Sequence, residues 1–192
     1  LHKRALSSPE ALRRSLKNRR EALQRRLANQ IEEDPGLPFD AARANVLDED
    51  AGEQFDENEI NDRSDKVVPG DAKALQAEFK ALDNLDTLAA RVTPARDSKL
   101  QYLLRNLLRP RLAQRHKLII FTRYRDTMEY VAEQIRKAPL YQQVKVVEIH
   151  GGLNDAQRQE VLRRFEQAQD AVLIATDAIS EGVNLQYLSS QI

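Results

Sequence analysis

Three short apolar runs in the C-terminal part of the chain constrain its fold more than any other feature. Leu118-Ile119-Ile120-Phe121 runs into Thr122-Arg123-Tyr124. Residues 144–149 run into His150-Gly151-Gly152, and residues 171–175 run into Thr176-Asp177 and then Glu181-Gly182. Runs of 4–8 residues rich in Val and Ile, separated by helical patterns, are the signature of buried parallel strands in βαβ units. In an open parallel sheet, ligands sit beyond the carboxyl ends of the strands. All three polar clusters lie at such ends, so they are expected to converge on one working edge. The predicted architecture is α/β: a parallel sheet with flanking helices over residues 96–192, preceded by a mainly helical region over 1–95.

The helical region has its own punctuation. Ser7-Ser8-Pro9-Glu10 marks a helix start, with serine caps, proline at the first helical position and an acid in the first turn. Leu12, Leu16, Leu23 and Leu27 continue at helical spacing to about Ile31, where Asp34-Pro35-Gly36 stops the pattern. A second stripe, Leu75, Phe79, Leu82, Leu85 and Leu88, predicts a helix over 71–91 with those residues in the core. Asp97-Ser98 caps a third helix bearing Leu100, Leu103, Leu104, Leu107 and Leu108, with a stop expected near Pro110. Helices over 126–137 and, from the Asn154/Gln157 capping box, along Val161, Leu162 and Phe165 alternate with the strands.

Net charge is zero, but the charges are sorted along the chain. Residues 1–30 carry nine Lys/Arg and two Asp/Glu, while residues 32–65 carry thirteen Asp/Glu and two Arg. Residues 34–70 also hold three of the seven prolines, three of the six glycines and few apolar residues. Residues 34–70 are therefore expected to form a loosely packed connector, which the basic helix could face. An alternative is two solvated faces that balance one another. No run approaches the ~20 apolar residues of a membrane span. With no cysteine there are no disulfides or thiolate metal sites, which fits a reducing cytoplasm.

Leu118-Ile119-Ile120-Phe121-Thr122-Arg123, His150-Gly151-Gly152-Leu153 and the stretch Ile174-Ala175-Thr176-Asp177 through Glu181-Gly182-Val183-Asn184-Leu185-Gln186, in that order, resemble the second RecA-like lobe of superfamily-two helicases and translocases. The resemblance is greatest to the Swi/Snf-like group, in the bacterial branch related to the RNA-polymerase-recycling ATPase. Lys3-Arg4-Ala5-Leu6-Ser7-Ser8-Pro9 is similar to the helical segment joining the two lobes there. The resemblance implies a parent that moves along nucleic acid, double-stranded DNA above all, using ATP and Mg²⁺ held between two lobes. Its implied partners are nucleic acid, the first RecA-like lobe and other protein subunits. It also implies nucleic-acid contacts at Thr122, Arg123, His150, Gly151, Gly152 and Thr176, and a nucleotide wall at Gly182 and Asn184 with Glu181 beside it. DEAD-box relatives carry Asp where this chain has Asn184. A further strand is due where the chain ends at Ile192, so the lobe is expected to be truncated.

The chemistry of these residues suits the roles. Glycines let backbone N–H groups approach a phosphate, and hydroxyls and a guanidinium fork hold a nucleic-acid backbone without reading bases. Each also has a plainer reading: Gly151-Gly152 as a tight turn, His150 as a structural strand-end residue, and Arg123 and Tyr124 as a solvated end and a packed ring. Arg158 is as well placed for a surface ion pair as for a phosphate. No G-x-x-x-x-G-K-[ST] loop occurs in the sequence, and no catalytic or metal-holding residue is assigned. The rival to a motor lobe is a non-catalytic helical and Rossmann-like module that recruits a protein partner.

Overall fold

The computed structural model describes residues 2–29 and 72–176. They form two compact units: residues 12–29 with 72–91 in one, and Lys3–Ala11 with residues 92–176 in the other. The acidic connector and the nucleotide-wall residues Glu181, Gly182 and Asn184 lie outside the described residues.

In the helical unit, α2 (Pro9–Asn29) lies against α3 (Ala72–Ala90). Leu16, Leu23, Leu75 and Leu82 form their shared core, with Leu12 and Phe79 packed around it. Arg19 donates to both carboxylate oxygens of Glu78, at 2.6 and 3.1 Å, and Arg13 and Arg20 pair with Asp86 and Asp83. Arg13, early in α2, meets Asp86, late in α3, while Arg19 and Arg20 meet the earlier Glu78 and Asp83, so the helices are antiparallel. The arginine-rich face of α2 is thus matched in part by acids of α3. The expected core stripe on α3 is shorter than the sequence predicts. Leu85 and Leu88 are exposed, and Leu75, Leu82 and Ala89 are the buried apolar residues of α3.

The second unit is built on a parallel sheet of β1 (Leu118–Thr122), β2 (Lys145–Ile149) and β3 (Ala171–Thr176), in the order β1-β3-β2. β3 is central and buried along its whole length, as its unbroken apolar run requires. Alternation then divides the core. Val172 and Ile174 face Met128, Val131 and Ile135 of α6 (Arg125–Lys137). Leu173 faces Phe165 of α7 (Asp155–Gln167) on the opposite side.

Two of the three predicted caps open helices that flank this sheet. Asn154 Oδ1 accepts from Gln157 N at 2.9 Å while Gln157 Oε1 accepts from Asn154 N at 3.0 Å, a complete capping box. Asp97 Oδ1 accepts from Leu100 N at 3.0 Å to open α4 (Ser98–Tyr102). The predicted stop near Pro110 does not occur. A π-helical turn, Leu103–Leu108, leads into α5 (Arg109–Ala113), and Arg109 N donates to Leu104 O. The wider turn moves carbonyls away from where a proline ring would strike them, so Pro110 is accommodated. The Leu104 carbonyl also accepts the Tyr141 hydroxyl.

Asp97 carries a second bond, since Tyr130 donates its hydroxyl to Oδ2 at 3.1 Å in a buried position. Burial first, and the Asp97 carboxylate second, raise the Tyr130 pKa and keep the phenol protonated. Asp97→Ala removes the cap and leaves the Tyr130 hydroxyl without its partner. The expected loss, measured by urea unfolding, is about 2–3 kcal/mol. A loss under about 0.5 kcal/mol would contradict this double role.

Candidate nucleic-acid interface

The register of the sheet assembles the predicted edge. Thr122 pairs with Thr176 at the carboxyl ends of β1 and β3, and Ile149 pairs with Ala175 one step earlier. By alternation, Thr122 and Thr176 share the face of Ile120 and Ile174. Thr176 is buried, while Thr122 and Arg123 are half-buried. A cavity of about 570 Å³ opens beside Thr122 and Arg123, lined also by Ser8, Lys99, Ile120 and Ile174.

The turn after β2 reaches the same edge. Gly151 and Gly152 are exposed, and Gly152 donates its N–H to His150 Nδ1 at 3.1 Å. That bond makes His150 the clasp of the turn and occupies the Gly152 amide. A Cβ on Gly152 would lie 3.2 Å from the His150 ring, so the clasp and the absence of a side chain go together. Arg158, from the first turn of α7, donates through Nη2 to Gly151 O at 3.2 Å and lies 3.5 Å from Asp155. It is therefore held beside the turn.

Burial, then the Arg125 guanidinium, lower the His150 pKa. Arg158 adds to this, against the opposing pull of Glu129 and Glu148. Sequence reasoning did not single out Arg125. Its only signal is a basic residue two positions past Arg123, opening the helix after β1. The cationic character of this edge therefore comes from Arg123, Arg125 and Arg158 together, tempered by the Arg125–Glu129 pair at 2.9 Å.

The clasp needs an unprotonated Nδ1, which sets a pH dependence. With the folded pKa depressed, the stabilisation is fully present above the ordinary imidazole value of 6.5 and is lost as pH falls below it. Hydrogen-exchange NMR is expected to show the protection factor of the Gly152 amide dropping between pH 7 and 5. A constant protection factor over that range would remove His150 from this role.

With the geometry in hand, the class of the domain follows. Residues 98–192 match the family model described as the helicase conserved C-terminal domain. Together with the parallel sheet and its flanking helices, this identifies the region as a RecA-like, superfamily-two helicase C-terminal lobe. Among curated proteins, the chain is similar to the ATP-dependent RNA helicase dbp5 of Botryotinia fuckeliana, 35% identical over 71 residues, which are 37% of this chain and 14% of that protein. It is also similar to DEAD-box ATP-dependent RNA helicase 24 of Arabidopsis thaliana, 28% identical over 104 residues, 54% of this chain and 13% of that protein. A third relative is eukaryotic initiation factor 4A of Dictyostelium discoideum, 28% identical over 71 residues, 37% of this chain and 16% of that protein. The chain thus spans 13–16% of the length of these relatives. No solved structure gives a significant match. No helix among the described residues is long and apolar enough to cross a membrane.

Proposed function

We propose that this chain is part of an ATP-dependent nucleic-acid motor, with double-stranded DNA as its track. The observation that carries this reading is the meeting of Thr122, Arg123 and Thr176 with the Gly151-Gly152 turn at one sheet edge. In this reading the hydroxyls, the Arg123 fork and the turn hold phosphates, so the lobe grips the backbone without reading sequence. His150 fixes the shape of the turn. Gly182 and Asn184, with Glu181 beside them, form one wall of the nucleotide site. Nucleotide binding and hydrolysis supply the free energy that closes and reopens the lobes. Among the described residues, no group of three or more His, Asp or Glu can hold a metal. We therefore assign Mg²⁺ and the phosphates to the other lobe.

The Swi/Snf-like placement, in the bacterial branch, rests on the resemblance of Lys3–Pro9 to the helical segment joining the lobes there. The second reading is an RNA helicase, favoured by the two relatives that are RNA helicases by name.

The test is binding by the full-length protein. Arg123→Ala is expected to weaken binding equally on unrelated sequences and to flatten the salt slope by roughly one, as loss of one phosphate contact does. Run on duplex DNA and on RNA at one salt concentration, tighter DNA binding supports the DNA track and tighter RNA binding transfers the reading to RNA. A loss confined to some sequences contradicts backbone gripping altogether.

A further inference from the structure

The first helix, α1 (His2–Ser7), is six residues long, too short to be stable alone in water. Its contacts with the lobe are therefore the source of its order, and they fall on one place. Arg4 Nη1 donates to Asp126 Oδ2 at 2.9 Å, and the same guanidinium lies 4.9 Å from the centre of the Tyr124 ring. The Thr127 hydroxyl shares hydrogen bonds with Ser7 Oγ at 2.8 Å and Ser8 Oγ at 2.9 Å. Ser8 Oγ also accepts from Ala11 N at 3.1 Å, so it caps α2 as well. Lys99 Nζ donates to the carbonyls of Leu6 and Ser7, closing the end of α1.

Tyr124, Asp126 and Thr127 lie within four residues after Arg123 in the chain. Asp126 and Thr127 are buried, and the Tyr124 carbonyl accepts from Met128 N at 3.1 Å to begin α6. The backbone that aims Arg123 is therefore held from one side by β1 and from the other by groups fastened to α1. Without Arg4, the buried Asp126 carboxylate loses a charge-assisted bond in the first turn of α6.

We propose that α1 is a strut that positions the nucleic-acid edge of the lobe, with Arg4 as its main positioning residue. Arg4 need touch no nucleic acid. It sets where Arg123 sits, and a displacement of the chain ahead of the lobe is felt at Arg123 through it. The inference rests on the nucleic-acid reading of the Thr122–Arg123 edge, and the test separates the two.

In the full-length protein, Arg4→Ala is expected to raise amide exchange at residues 124–128 by about tenfold or more, as loss of a bond to a charged group does. Exchange at Leu173 and Ile174 stays unchanged. Nucleic-acid affinity falls about as far as in Arg123→Ala, and the double variant binds within twofold of either single variant. Arg4→Lys keeps the ion pair and is expected to recover protection to within about threefold of the starting protein. Unchanged exchange at 124–128, an equal rise across β3, or affinity losses that multiply would each overturn the strut. If Arg4→Ala does not fold, Ser7→Ala carries the same comparison, with a threefold rise at 124–128 expected and no rise overturning it. If the starting protein binds no nucleic acid, the proposed function fails, and the exchange measurements alone decide the strut.

Discussion

Mixed with ATP and Mg²⁺, residues 1–192 are expected to show no turnover above background. Their dissociation constant should be no tighter than about millimolar, near −4 kcal/mol. Phosphoryl transfer needs a phosphate cradle, a metal ligand and charge stabilisation together. The sequence holds no G-x-x-x-x-G-K-[ST] loop to cradle phosphates. An arginine finger alone contributes about 10³–10⁵ in rate. What we assign to this chain is a wall beside the ribose, which leaves most of the nucleotide's charge without a partner. Calorimetry and a phosphate-release assay check this directly. Micromolar binding or measurable turnover would establish a complete site here and end the half-site reading.

The second large effect is on stability. Phe165 is fully buried and packs with Val147, Ile149 and Leu173 on the α7 face of the sheet. Phe165→Ala removes the largest side chain of that face, and neighbours on strands relax only partly into the gap. The expected loss is about 3–5 kcal/mol. Leu140→Ala, at a side chain 62% exposed, should change stability by less than about 0.5 kcal/mol. Urea unfolding of the two variants measures the contrast. Equal losses would mean that the α7 face is not a packed core.

The strands and caps were legible in the sequence because each is a local pattern with a local cause. An unbroken run such as Ala171–Thr176 suits only a strand covered on both faces, and Asp97 and Asn154 cap within three residues of themselves. The helix His2–Ser7 was anticipated only by resemblance, and its partners Asp126 and Thr127, about 120 residues away, were not legible. Nor was the fate of the basic stripe on α2. Arg19 meets Glu78 across 59 residues of chain, and nothing near Arg19 announces the pair. At Pro110 a sound local rule lost to the π-helical turn before it. Leu85 and Leu88 kept the helical period but are exposed.

The candidate site divides along the same line. Convergence of Thr122, Thr176 and the Gly151-Gly152 turn followed from strand polarity alone, which the parallel register reproduces. The clasp between His150 and the Gly152 amide, and the two guanidiniums of Arg125 and Arg158 near it, depend on side-chain directions that spacing does not encode. Glu181, Gly182 and Asn184 remain proposals from resemblance.

The most direct measurement of the central claim is hydrogen exchange on the full-length protein with and without saturating duplex DNA, repeated with RNA. The expected result is new protection at Arg123 and Tyr124, at Gly151, and at Thr176, with none at the opposite sheet edge around Lys145 and Ala171. Protection at Lys145 and Ala171, with none at the carboxyl ends of the strands, would contradict it.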